Sequence, residues 1–159
     1  MNELIRLDAD AVELYQSAID RVDDAAVKAD LLAFQRDHNT HISDLTRVVS
    51  DLGGEPEPAK QDLKGKALEL VTAMRSMTGT EGALKAMRTN EKLTNKTYDD
   101  AAAKELPPLA RALITRNRSD ERRHLAAIER HLERITGKKL DEEAPEVRAP
   151  EMQVPTWRH

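Results

Sequence analysis

Two stretches of this chain, 83 residues apart, carry the same pattern, and that repeat restricts the fold more than any other feature. Asp8 falls on Glu91, Tyr15 on Tyr98, Asp37 on Asp120, His38 on Glu121 and His41 on His124, without a gap. Apolar positions agree as well: Leu31 with Ile114, Leu45 with Ile128, Leu52 with Ile135. So does a terminator, Gly54 with Gly137. Asp8 to His41 spans 33 residues, and so does Glu91 to His124. Each stretch is long enough for two helices joined by a short turn, so the repeat predicts two copies of one helical hairpin.

The apolar stepping supports this. Ile5, Asp8, Val12, Tyr15, Ile19 and Val22 share one face of a helix over 2–22. Asp23-Asp24 supplies a turn and an N-cap. Val27, Leu31, Phe34, His38, His41, Leu45, Val48 and Leu52 then form an unbroken heptad stripe that Gly53-Gly54 ends. After a Pro-rich connection, a shorter helix is expected over 62–77, with Leu63, Ala67, Leu70, Val71, Met74 and Met77 apolar, broken by Thr78-Gly79-Thr80. A third long helix, over 81–103, has the stripe Leu84, Met87, Glu91, Thr94, Tyr98, Ala101. Pro107-Pro108 opens the fourth, with Ala110, Ile114, Asn117, Glu121, His124, Ile128, His131 and Ile135 in line up to Gly137. The expected fold is therefore all-α, an antiparallel four-helix bundle over residues 1–137. Hairpin one takes 2–54, a crossover with a short helix 55–79, hairpin two 80–137, and an extended Pro-rich tail follows over 138–159.

Composition agrees: 34% of residues are charged and 3% aromatic, a balance suited to amphipathic helices. The net charge of −4, with acids and bases interspersed, argues against a nucleic-acid surface, which would be basic. The absence of cysteine excludes disulfides and thiolate metal sites and suits a cytoplasmic protein. Neither a secretory signal nor a membrane-spanning run is visible.

Six ionisable residues occupy stripe positions near the middle of the expected bundle: Asp8, His38, His41, Glu91, Glu121 and His124. An unpaired buried charge costs several kcal/mol, so six of them on four helices need a common explanation. A divalent metal is the simplest: the cation neutralises the carboxylates, and imidazole nitrogens donate to it. Glu121-x-x-His124 puts two donors about 60° apart and one turn along the helix, and His38-x-x-His41 repeats that geometry. Asp8 and Glu91 add one carboxylate from each remaining helix, as in bundle di-metal sites.

On these residues the chain resembles the ferritin-like superfamily of di-metal carboxylate four-helix bundles, which includes ferritin and rubrerythrin, over residues 2–136. The Gly-Gly-Glu-Pro segment, the short helix after it and the Asn-Glu-Lys of the third long helix are similar, more narrowly, to uncharacterised bacterial ferritin-like bundles associated with stress responses. The resemblance implies Asp8 and Glu91 as terminal ligands, Glu121 as a bridge, and His41 and His124 each capping one metal. His38 departs from it: the superfamily has Glu there, and neutral imidazole donates through one nitrogen only. Asp8 in place of Glu also shortens the reach by one methylene. One metal, a lopsided pair and a full di-iron centre all stay open.

Tyr15 and Tyr98 each follow a proposed carboxylate ligand by two turns. A hydrogen bond to that ligand or a redox relay is one reading; core packing with a satisfied hydroxyl is the plainer one. Asp37 and Asp120 lie about 100° off the stripe. From there each can orient a ligand imidazole on a neighbouring helix, although a solvated, salt-bridged face is the plainer reading. Arg116, Arg118, Arg122 and Arg123 read as a solvated face with intrahelical pairs, and His131 as an ordinary half-exposed histidine.

Two functions are compatible with this. One is a metal-binding ferritin-like protein. With iron or manganese it would act on oxygen or peroxide in a stress response; with His-rich ligation, zinc or copper would occupy it without redox chemistry. The other is a metal-free helical interaction module. No catalytic residue is assigned. A homodimer is expected, with no nucleic-acid or membrane partner and a small oxidant as the substrate candidate.

Overall fold

The computed structural model describes residues 1–58, 65–76 and 79–140. Among them are five helices and no strand: α1 (Asn2–Ile19), α2 (Ala25–Asp51), α3 (Lys66–Ser76), α4 (Gly79–Ala102) and α5 (Pro108–Thr136). The expected tail beyond residue 140, together with Leu63, Met77 and the side chain of Ala67, lies outside the described residues.

Several boundaries have a local cause. Asp24 accepts from the backbone N–H groups of Ala26 and Val27, both at 3.0 Å, and so starts α2. The α2 end is a Schellman motif: Gly53, at φ 78°, donates to the Ser50 carbonyl and Gly54 to that of Val49. The left-handed residue is thus Gly53, one position before the Gly54 that matches Gly137 in the repeat. Pro107 precedes α5 and Pro108 opens it. The first helix stops at Ile19, three residues short of the expected Val22, yet Val22 is still buried from the turn. The described part of the crossover has α3 from Lys66, and the expected start at 62 lies outside the described residues.

The four long helices form a ring in which α1 packs on α2 and α4, and α5 packs on α2 and α4. Side-chain pairs give the directions. Asp8 meets Tyr98 while Tyr15 meets Glu91, so α1 and α4 are antiparallel. Asp44 meets Arg116 while Asp24 meets Arg134, so α2 and α5 are antiparallel too. With two hairpins of antiparallel helices, α2 and α4 run the same way across the diagonal. The chain between them must therefore return along the bundle, and α3 lies on that return path, against α1 and α4.

The buried stripes follow the expected order with a systematic slip. Val12, Ala101, His131 and Ile135 are only half-buried, and Leu52 is 45% exposed. Leu14, Val49 and Leu132 are buried in their stead. A seven-residue step falls about 20° behind a straight helix per heptad, so a strict heptad reading loses the core toward helix ends. Within α3, Val71 and Met74 are buried, whereas Leu68 is 51% exposed.

The core is divided in two. One apolar cluster holds Leu14, Ile19, Leu31, Phe34, Leu84, Met87, Ile128 and Leu132. The other holds Leu4, Ile5, Leu45, Val48, Ala110 and Ile114. Between them lies the polar layer that positions the site. No helix among the described residues is long and apolar enough to cross a membrane.

Candidate metal centre

All six ionisable stripe residues are buried and converge on this layer. Asp8 comes from α1, His38 and His41 from α2, Glu91 from α4, and Glu121 and His124 from α5. Two overlapping groups have ligand atoms within 4.8 Å of one another: Asp8, His38, His41 and Glu121, and His38, Glu91, Glu121 and His124. Either group can hold a metal ion. His38 and Glu121 belong to both, as their matching places in the repeat require.

Two of the three imidazoles are held from outside the cluster. His124 Nε2 lies 3.0 Å from Asp37 Oδ2, and His41 Nε2 lies 3.2 Å from Asp120 Oδ2. A carboxylate only accepts, so each of these nitrogens carries a proton, and it is Nδ1, with its lone pair in the neutral ring, that faces the cluster. Asp37 and Asp120 therefore orient the imidazoles, across helices, and are salt-bridged as well. One Arg123 nitrogen reaches Asp37 at 3.0 Å and Asp120 at 2.8 Å, clamping both carboxylates. That corrects the reading of the Arg-rich face. Arg116 pairs with Asp44, and Arg118 and Arg122 with Asp99, so most of its bonds tie α5 to α2 or α4 rather than staying within the helix. Phe34 stacks on the His124 ring at 4.3 Å between centroids, covering it on the apolar side.

The carboxylates are held likewise. Tyr15 donates to Glu91 Oε1 at 2.6 Å, and Tyr98 to Asp8 Oδ2 at 2.7 Å. These hydroxyls cross between hairpins in repeat register. Burial raises the pKa of both tyrosines, and the adjacent carboxylates raise it further, so they remain donors. Both hydroxyls are thus satisfied in the core, as the plainer reading expected, and the carboxylates of Glu91 and Asp8 are what satisfy them. His131 pairs with Asp30 at 2.8 Å, away from the cluster, as an ordinary half-buried histidine.

Several supporting residues carry no distinctive sequence signal. Asn95 donates to the backbone carbonyls of Glu91 at 2.8 Å and Glu121 at 3.0 Å, tying the turns that carry these two glutamates together. Asn117 lies 3.4 Å from the Tyr98 hydroxyl. Asn117 stands on the stripe one turn before Glu121, which was a legible hint. The Asn95 and Arg123 contacts depend on helix packing alone.

The electrostatics of the layer are set by burial and by the opposed charges of its members. Burial disfavours a charged His38, yet Glu121, Asp8 and Glu91 outweigh it and push its pKa well up. His41 behaves alike: burial opposes, Asp8 and Glu121 prevail, and its pKa rises to about 9. Burial also raises the Glu91 pKa. Burial acts the same way on Glu121, but His38, His124 and His41 overcome it and hold this carboxyl well below its ordinary value.

Among the described residues, the buried side-chain atoms without a hydrogen-bond partner are His38 Nε2, His41 Nδ1, Glu91 Oε2, both Glu121 oxygens and His124 Nδ1, together with Asn90 Nδ2. Six of these seven belong to the cluster, all are donors a metal accepts, and native interiors leave few such groups orphaned. The residues fit a divalent cation. Asp37→Ala should weaken divalent-metal affinity about 10–100-fold, because the His124 ring loses the partner that aims it. Titration of the variant with Zn2+ against a chelating indicator checks this, and an unchanged affinity would contradict the orienting role.

No curated protein and no solved structure matches the chain. The family described as "Domain of unknown function (DUF2383)" has a model that matches residues 1–104, a stretch that contains Asp8, His38, His41 and Glu91 and stops before Glu121 and His124. Covering well over half of the 159 residues, that match shows that the chain belongs to the DUF2383 family.

Proposed function

We propose that this protein is a metal-binding, ferritin-like four-helix bundle whose ligands are drawn from Asp8, His38, His41, Glu91, Glu121 and His124. The observation that carries the reading is the set of orphaned, buried donor atoms facing one another in the polar layer. The parallel diagonal of α2 and α4, with α3 on the return path, supports the ferritin-like comparison, as does the repeat of Asp8 to His41 in Glu91 to His124.

Iron or manganese bound there would supply one-electron chemistry toward oxygen or peroxide, consistent with a role in stress. The chain's own contribution is positional. Asp37 and Asp120 fix two imidazole rings, Tyr15 and Tyr98 hold the outer carboxylate oxygens, and the two apolar clusters exclude water from either end. Low local dielectric strengthens every charge interaction in the layer.

A second reading has one observation in its favour: the raised pKa values of His38 and His41 let the cluster neutralise itself with protons. Buried ion pairs of this kind can select one bundle register without binding anything. The protein would then be an interaction module or homodimer. Elemental analysis of untagged protein, with melting curves before and after chelator, decides between them. A metal at a hundredfold excess over its dissociation constant stabilises the fold by about 2.7 kcal/mol, so the chelated protein should melt several degrees lower. Identical curves and substoichiometric metal from metal-supplemented cells would establish the second reading.

A further inference from the structure

The two halves of the centre are matched in sequence but not in free donor atoms. In the group Asp8, His38, His41 and Glu121, both Asp8 oxygens are engaged: Oδ1 with His38 Nδ1 at 2.8 Å and Oδ2 with the Tyr98 hydroxyl. His41 Nδ1 and Glu121 Oε1 make no hydrogen bond to any other group, and they face each other as an ion pair at 3.1 Å. In the group His38, Glu91, Glu121 and His124, every residue has one orphaned atom: Nε2, Oε2, Oε2 and Nδ1.

His38 decides the asymmetry. Its Nδ1 donates to Asp8, which leaves a single lone pair, on Nε2, and that nitrogen lies on the Glu91 side, 3.6 Å from Glu91 Oε1. A carboxylate at this position would offer one oxygen to each half, as Glu121 does at the matching place. His124 Nδ1 is 3.6 Å from Glu121 Oε2 and 3.9 Å from Glu91 Oε2. Donors about 2.0–2.1 Å from a tetrahedral ion stand roughly 3.4 Å apart, so the two His124 distances need a contraction of only a few tenths of an ångström, and one ligand atom from each of the four residues lies within 4.8 Å of the others.

We infer that the centre takes one divalent ion, held by His38 Nε2, Glu91 Oε2, Glu121 Oε2 and His124 Nδ1, while Asp8 and His41 position and neutralise rather than ligate. This rests on the metal-binding reading and departs from a symmetric pair. Two imidazoles and two carboxylates form a four-donor set that suits an ion of the zinc class. Asp8 is then the carboxylate partner that orients His38, just as Asp37 orients His124.

The repeat supplies a matched test, because His41 and His124 occupy equivalent places. Full-length protein, freed of metal, is titrated with Zn2+ by calorimetry and with Co2+ by visible absorption. Wild type should bind one equivalent, with the intense bands of four-coordinate Co2+. His124→Ala should weaken Zn2+ binding by about a hundredfold or more, beyond the loss typical of an orienting residue, and should abolish those bands. His41→Ala should keep one equivalent and the same bands, with a loss of affinity no larger than the roughly 10–100-fold of a supporting residue. The matched glutamine variants replace any alanine variant that circular dichroism shows to be unfolded. Two equal Zn2+ sites in wild type, or equal losses in the two histidine variants, would overturn this inference while leaving the metal-binding reading standing. A wild-type ratio of zero would remove both.

Discussion

Glu121→Ala should leave a helical protein that retains no metal, with a metal-to-protein ratio below about a tenth of the wild-type value, because losing a ligand exceeds the 10–100-fold effect of losing its support. Glu121 has two orphaned oxygens. One faces His41 Nδ1 at 3.1 Å and the other faces His124 Nδ1 at 3.6 Å. No ion position in the layer avoids it, since it belongs to both ligand groups. Glu121→Gln keeps the shape but removes the charge that His38, His124 and His41 stabilise, and it should also fail to load. His131→Ala, seven residues further along the same helix, should load normally, since its partner is Asp30 outside the layer. Elemental analysis of the three variants checks this. Equal metal content in Glu121→Ala and His131→Ala would mean that the ion, if any, sits elsewhere.

The metal-free protein should lose stability as pH rises from about 6.5 to 9. The His41 pKa goes from its ordinary 6.5 to about 9 on folding. A group raised in the folded state contributes fully below its unfolded pKa, and that contribution disappears as pH climbs through the folded value. For His41 the loss is on the order of 3 kcal/mol between pH 6.5 and 9. His38 is shifted in the same direction and adds to it. Glu121, lowered on folding, acts oppositely: its contribution is present above the ordinary Glu range and lost in acid. Chelated protein should therefore be most stable in mildly acidic buffer and melt progressively lower toward pH 9. Bound metal displaces the imidazole protons, so its affinity grows with pH, and the loaded protein should show a flat or rising profile over the same range. Urea denaturation of both forms at several pH values tests the contrast. Parallel profiles would show that protons and metal do not compete for this layer.

Much of this molecule is readable from residue order. Helices and turns are local matters: a cap such as Asp24, Gly53 at the end of α2 and Pro108 at the start of α5 act within a few residues of themselves. The stripe that buries Ile5, Leu31 and Ile128 also puts Asp8, His38 and Glu121 inside, because period and polarity are independent. Polar residues on an apolar face at repeated spacing therefore announced a buried centre and named its six members. Heptad counting failed where helix geometry departs from it, at Leu52, Val12 and Ile135.

Tertiary structure alone decided the rest. Which helix faces which sets Asp37 against His124 and Asp120 against His41, contacts spanning 87 and 79 residues. The reach of Arg123 to both carboxylates and the seating of Asn95 between two turns depend on interaxial distances that no period encodes. The imbalance between the halves is of this kind too. Residue order shows that His38 stands where the repeat has Glu121, but which nitrogen is spent on Asp8 and which is left free is fixed by ring orientation in the packed core. A hydrogen bond consumes a lone pair or a proton only where two atoms come within about 3 Å, and that proximity belongs to the folded chain.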